Sequence, residues 1–317
     1  LISHTQKVVF LGDGEMAVIE PEGVKFCNFK GSPIEKMVEG LSWTPLMVEK
    51  RGFKHFMLKE IFEQPQVVRD TLQGRISADL GKVFLDEVGV SEEILEKIEK
   101  VVVIACGTSY HAGLCGKYFI EALAQIPVDI EFASEYRYRD FILEKDSLVV
   151  VISQSGETAD SLAAMRAIKK KGVTALAICN VVNSSIARES DGALYTHAGP
   201  EIGVAATKTF SAQLSALALL ALHLALIKGK INEKKALALI QDLQRIPHKM
   251  EKILSRSEEI RDLALKFTSF SHFLYLGRWV SFPVALEGAL KLKEISYIHA
   301  EGYPGGEMKH GPIALID

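Results

Sequence analysis

The chain has 317 residues, 48% of them hydrophobic and 24% charged, and a formal net charge of -3. That length accommodates two or more domains with ordinary cores, and the composition is that of a folded protein without a polybasic face, so nucleic acid is not expected as a partner. Cys27, Cys106, Cys115 and Cys179 show no paired C-x-x-C spacing and no signal peptide is recognisable ahead of them, which favours a reduced, cytoplasmic setting and gives structural zinc no support.

Residues 7–11, 16–20 and 24–29 alternate as short strands separated by Gly-Asp-Gly and Pro-Glu-Gly turns. The pattern predicts an antiparallel meander of about three strands. Such a meander buries little apolar area alone, so residues 1–32 are expected to be the end of a domain whose beginning is missing, with the chain cut at its front. Over residues 33–90 the prolines Pro33, Pro45 and Pro65 and scattered charges break the pattern. One helix, over 57–73, is expected within this linker.

Residues 91–235 read as an α/β unit. Strands are expected at 101–106, 128–132, 147–152 and 175–179, and helices at 111–123 and 159–171, an alternation that implies a doubly wound parallel sheet. The apolar run 214–227 is shorter than a bilayer requires and contains Ser215 and His223, so it predicts a core helix and no membrane span. Residues 101–123 and 273–295 share one order, strand, glycine turn at Gly107 or Gly277, then a long helix. This repeat predicts a second α/β unit over 236–317, its own pattern starting near residue 260. A full copy would need on the order of 100 more residues, so the second unit is expected to stop early.

In open α/β sheets ligands sit at the carboxyl edge of the strands. Two loops there are dense in hydroxyls: Cys106-Gly107-Thr108-Ser109 and Ser153-Gln154-Ser155-Gly156-Glu157-Thr158. Hydroxyls, free amide N–H groups and the positive end of a helix dipole hold a phosphate without a metal. Neither loop carries Lys or Arg, which separates them from a Walker-type nucleotide loop and favours a small sugar monoester. The alternative is that Ser153, Ser155 and Thr158 merely cap a helix; two such turns at matching strand ends favour a ligand.

The segments 153–160 (S-Q-S-G-E-T-A-D) and 106–109 (C-G-T-S) resemble the sugar isomerase (SIS) fold, and the resemblance implies a three-layer αβα architecture. In the second unit, 287–296 (E-G-A-L-K-L-K-E-I-S), His299-Ala300-Glu301 and Lys309-His310-Gly311-Pro312 resemble the isomerase half of the amidotransferases that form glucosamine 6-phosphate. The meander is similar to the end of that family's glutaminase domain. The likeness implies that Thr108, Ser109, Ser153, Gln154, Ser155 and Thr158 hold the phosphate and sugar oxygens of fructose 6-phosphate. Glu294 would be the catalytic base, His310 would assist ring opening, and Lys291 and Glu287 would lie beside Glu294. In the family the histidine-bearing loop comes from a neighbouring subunit, so a homodimer is expected. The segment 201–208, including Val204 and Ala206, resembles one that approaches the sugar; many members carry Ser where this chain has Ala206. Ammonia derived from glutamine would be the second substrate, and no cofactor or metal is implied. The family's glutaminase cysteine and its C-terminal lysine tail have no counterpart here, which predicts binding without full turnover.

Glu287, Lys291 and Glu294 are spaced i, i+4, i+7 and so share one helix face, on which an ammonium can adjust a carboxylate that moves protons. The same spacing also suits an exposed face of Glu–Lys pairs. Histidine titrates near neutrality, as ring opening requires. His111, His197 and His272 read as structural. Three other readings stay open: a different SIS enzyme such as a deglycase or aldose–ketose isomerase, a non-catalytic sugar-phosphate sensor, and an assembly role in which the apolar helix 210–227 docks subunits.

Overall fold

The computed structural model describes residues 5–40 and 49–316. The chain forms two compact units, Leu1–Gly52 and Phe53–Asp317.

In the first unit, β1 (Lys7–Val8), β2 (Glu15–Glu20), β3 (Gly23–Asn28) and β4 (Glu39–Gly40) form two separate pairs. β2 and β3 make an antiparallel hairpin closed by Pro21-Glu22, as the turn chemistry predicts. The expected third strand of a meander is corrected: β1 pairs with β4, not with the hairpin. The hairpin entry is instead tied by Glu15, which accepts from the Gly12 amide at 2.5 Å and pairs with Lys36 at 2.7 Å. A two-residue partner such as Glu39–Gly40 carries no alternation for a sequence pattern to report.

The second unit opens with α1 (Phe56–Leu72), close to the expected 57–73, followed by the short pair β5 (Ile76–Ser77) and β6 (Lys82–Val83), and by α2 (Glu92–Lys97). The linker reading does not describe α1, whose Val67, Val68 and Leu72 are buried and which packs on two later helices. Next come β7 (Lys100–Ala105), α3 (Gly107–Ala124), β8 (Val128–Phe132), α4 (Ala133–Tyr136), β9 (Ser147–Ser153), α5 (Ala159–Lys169), β10 (Thr174–Cys179), α6 (Ser185–Glu189) and β11 (Gly192–Tyr195). The five strands form one parallel sheet in the order β11-β10-β9-β7-β8. β11 was not anticipated: at four residues its apolar stretch is too short to stand out, and it is a strand through its pairing with β10.

Successive residues of β7 and β9 point to opposite faces, and both faces are apolar. Val101, Val103, Leu148, Val150 and Ile152 face one core with α3 and α7 (Lys208–Ile227), while Val102, Ile104, Val149 and Val151 face the other with α5 and α6. The result is the expected three-layer αβα sandwich. α7 is the one described helix long and apolar enough to cross a membrane, and most of it is buried here against α3 and α1. Its burial removes the assembly reading, because Ala216, Leu217, Leu220 and Leu224 are already covered within the chain. Gly116 permits the close approach of α3: a Cβ there would lie 2.7 Å from Leu217 Cδ2.

Beyond α7 run α8 (Glu233–Leu254), α9 (Ser257–Leu265), β12 (His272–Gly277), α10 (Ser281–Ser296) and β13 (His299–Pro304). β12 and β13 pair in parallel around α10, as the repeat predicts. α10 also packs against α3.

Candidate active site

The sheet order reverses between β7 and β9: the chain leaves β7 toward β8 on one side and runs from β9 to β10 and β11 on the other. The loops after these two strands therefore diverge around a crevice, where open α/β sheets bind ligands. Both hydroxyl-rich loops lie there. They line a cavity of about 160 Å³ with Thr108, Ser109, Ser153, Gln154, Ser155 and Thr158, together with Ala206. Val204, grouped with them on sequence, is fully exposed and does not line it.

Local geometry shows what the hydroxyls do. Gly107 and Gly156 take φ of 53° and 66°, which turn the chain from strand end to helix at little cost in glycine. A Cβ on Gly156 would also lie 1.9 Å from Ser184 Oγ. Thr158 occupies the N-cap of α5 and Cys106 that of α3, and neither makes a side-chain cap bond. Thr158 Oγ1 instead lies 2.9 Å from Ser153 Oγ, which accepts from the Gly156 amide at 3.0 Å. Ser155 Oγ accepts from the Glu157 amide at 3.1 Å, and Ser109 Oγ accepts from Gln213 Nε2 at 2.9 Å. With acceptor positions filled by protein N–H groups, the O–H hydrogens of Ser109 and Ser155 are left to donate, the polarity an anion needs. Two further lining residues, Ser161 and Gln213, each carry a buried oxygen, Ser161 Oγ and Gln213 Oε1, with no protein partner among the described residues.

The acidic face of α10 borders this cavity through Thr108. Thr108 donates to Glu287 Oε1 at 2.8 Å and accepts from Lys291 Nζ at 3.1 Å. Lys291 lies 3.3 Å from Glu287 and 2.6 Å from Glu294, so the i, i+4, i+7 set is one connected cluster. Glu287 is almost fully buried and also pairs with His111 Nδ1 at 2.7 Å. Burial works to raise its pKa, but the His111 hydrogen bond, the Lys291 charge and the Thr108 hydroxyl together hold it below the ordinary carboxylate range. Glu287 is thus a fixed anion that orients its neighbours, while Glu294 is about a third exposed and open to a ligand.

His111, read as structural on sequence, is brought to this cluster by its pairing with Glu287. Its signal was its place three residues after Thr108, on the same face of the first turn of α3. Gln213 and Thr209, also on the lining, were missed; they lie i, i+4 at the start of α7, a helix whose apolar content masked them. His310 is not brought to the cluster. It is exposed at the end of the short turn Glu307–Lys309 and does not line the cavity. Among the described residues no group of three or more His, Cys, Asp or Glu side chains could hold a metal.

A larger groove of about 700 Å³ beside α5 is lined by Arg137, Arg139 and Arg166. These guanidiniums are already committed to Asp160, Glu131 and Glu189. The smaller cavity at the switch point is the one that both hydroxyl-rich loops line.

The SIS domain model matches residues 94–223 and 266–317, and the chain belongs to the SIS domain family. Over its full length it is 51% identical to the glutamine–fructose-6-phosphate aminotransferase (isomerizing) of Chlorobaculum tepidum and 50% identical to that of Clostridium tetani. It covers 52% of each, so the chain spans about half the length of these curated relatives. Among solved structures, the C-terminal domain of glucosamine-fructose-6-phosphate aminotransferase from Francisella tularensis matches 85% of this chain and 75% of its own. The TM-score is 0.82 and the identity 48%. Glucosamine-6-phosphate deaminase from Thermotoga maritima matches 83% of this chain and 74% of its own, with TM-score 0.60 and identity 27%.

Proposed function

We propose that this chain is the sugar-phosphate isomerase region of a glutamine–fructose-6-phosphate aminotransferase, binding fructose 6-phosphate in the cavity between β7 and β9. The observation that carries the reading is the pair of helix N-termini, at α3 and α5, without side-chain caps and flanked by hydroxyls whose hydrogens are free to donate. That arrangement suits a phosphate monoester. The names and identities of the relatives support the substrate.

In this reading Ser109, Ser153, Gln154, Ser155 and Thr158 grip the phosphate and sugar oxygens, with Ala206 on the sugar side. Ammonia, derived from glutamine in the full-length protein, condenses at carbon 2 of the open-chain ketose with loss of water. Glu294 then takes a proton from carbon 1 and returns one to carbon 2, while the carbon-1 hydroxyl loses its proton and the imine nitrogen gains one, giving the aldose with its amine on carbon 2. Lys291, 2.6 Å away, fixes the position of that carboxylate, and Glu287 holds Lys291 in place. Ring opening is assigned to His310 of a second copy, because within one chain it stands outside the cavity; a cytoplasmic homodimer is the assembly we propose. In the full-length protein, Glu294→Gln should lower turnover by about 100-fold or more while sugar-phosphate affinity stays within a few fold. Unchanged turnover would remove the catalytic assignment.

A further inference from the structure

We infer that Glu60, on α1 and outside the cavity, is a positioning residue for the sugar side of the site, shaping segment 201–207 without taking part in the phosphate grip. The inference rests on the sugar-phosphate reading above.

Glu60 is 2% exposed. Its Oε1 accepts from the amides of Ile202 at 2.6 Å and Gly203 at 3.0 Å, and Oε2 accepts from Gly203 at 3.1 Å. A carboxylate can bond two consecutive amides in this way because each oxygen accepts more than one hydrogen. The fit is close: a Cβ on Gly203 would lie 2.5 Å from Glu60 Oε2 and 3.3 Å from Met57 Cα. Two more residues on the same face of α1 reach the following stretch. Glu63 pairs with Lys208 at 2.8 Å, and Gln64 Oε1 accepts from Ser211 Oγ at 2.6 Å.

Segment 201–207 is also closed on itself. Glu201 accepts from the Thr207 amide at 2.8 Å and from Thr209 Oγ1 at 2.5 Å. Its pKa is raised by burial, against which those hydrogen bonds work. Glu201 thus fixes the curvature of the loop and Glu60 fixes where the loop sits. Ala206 and Thr209, at the end of this braced stretch, line the cavity. The hydroxyls of the phosphate loops are oriented from elsewhere, Ser109 by Gln213 and Ser153 by Gly156 and Thr158. The two halves of the site therefore have separate supports, and only one of them runs through Glu60.

The test is calorimetric titration of the whole chain with two probes, fructose 6-phosphate and inorganic phosphate. Glu60→Leu keeps the volume and removes the acceptor, while Gly203→Ala disturbs the same contact from the loop side. Both should weaken fructose 6-phosphate by roughly ten-fold or more, as expected when buried amides lose their acceptor, and leave inorganic phosphate within about two-fold. Glu60→Gln, which keeps one oxygen able to accept from both amides, should recover most of the loss. Equal weakening of both probes, or unchanged fructose 6-phosphate binding in the variants, would overturn the inference. If Glu60→Leu does not fold, Gly203→Ala carries the comparison alone. A wild-type chain that binds inorganic phosphate but not fructose 6-phosphate would instead overturn the underlying reading, before any variant is compared.

Discussion

Thr108 joins the cavity between β7 and β9 to the acidic face of α10 with one hydroxyl, lining the cavity while donating to Glu287 and accepting from Lys291. Glu287 is the anchor of that arrangement. Its carboxyl is held below the ordinary range, so its stabilisation is present above the pH at which an unfolded carboxyl titrates and is lost as pH falls through the lower folded value. Glu287→Gln should cost about 1–3 kcal/mol at neutral pH, because His111, Thr108 and Lys291 lose a charged partner. The melting-temperature gap between wild type and variant should then narrow when both are scanned near pH 3, a little below the ordinary range. A gap that stays constant with pH would mean the charge of Glu287 is not what matters. Glu287, Lys291 and Glu294 were legible at this scale because helical spacing is local, and their contacts follow it. Gln213 and His111 were not, because each acts on a residue from another element and only the packing of α7 and α10 on α3 supplies the partner.

Among the elements, the strands of the central sheet were the most legible. β7, β9 and β10 are buried on both faces, so each is an unbroken apolar run between turn residues. β11 and the β1–β4 pair were hidden for the opposite reason, being short segments held by pairing. The α3–α7 contact offers a test of how tightly the layers fit. Gly116→Ala gains about 1 kcal/mol in helix propensity, but its methyl would meet Leu217 at 2.7 Å. We expect net destabilisation of about 1–2 kcal/mol, measured by urea unfolding, and recovery when Leu217→Val is added. Stabilisation by the single change would show that α7 moves away freely.

At the scale of the whole molecule, the repeat of strand, glycine turn and long helix was readable because β7–α3 and β12–α10 follow one pattern. What the pattern did not convey is that α10 packs on α3, which brings Glu287 to Thr108 across 179 positions of chain. The site belongs to neither repeat alone. The most direct test of the central claim is a thermal-shift series of this chain with fructose 6-phosphate, glucosamine 6-phosphate, unphosphorylated fructose and AMP. The cavity between β7 and β9 predicts a concentration-dependent rise in melting temperature with the two hexose phosphates and none with fructose or AMP. An equal rise with AMP, or no rise with either hexose phosphate, would contradict it.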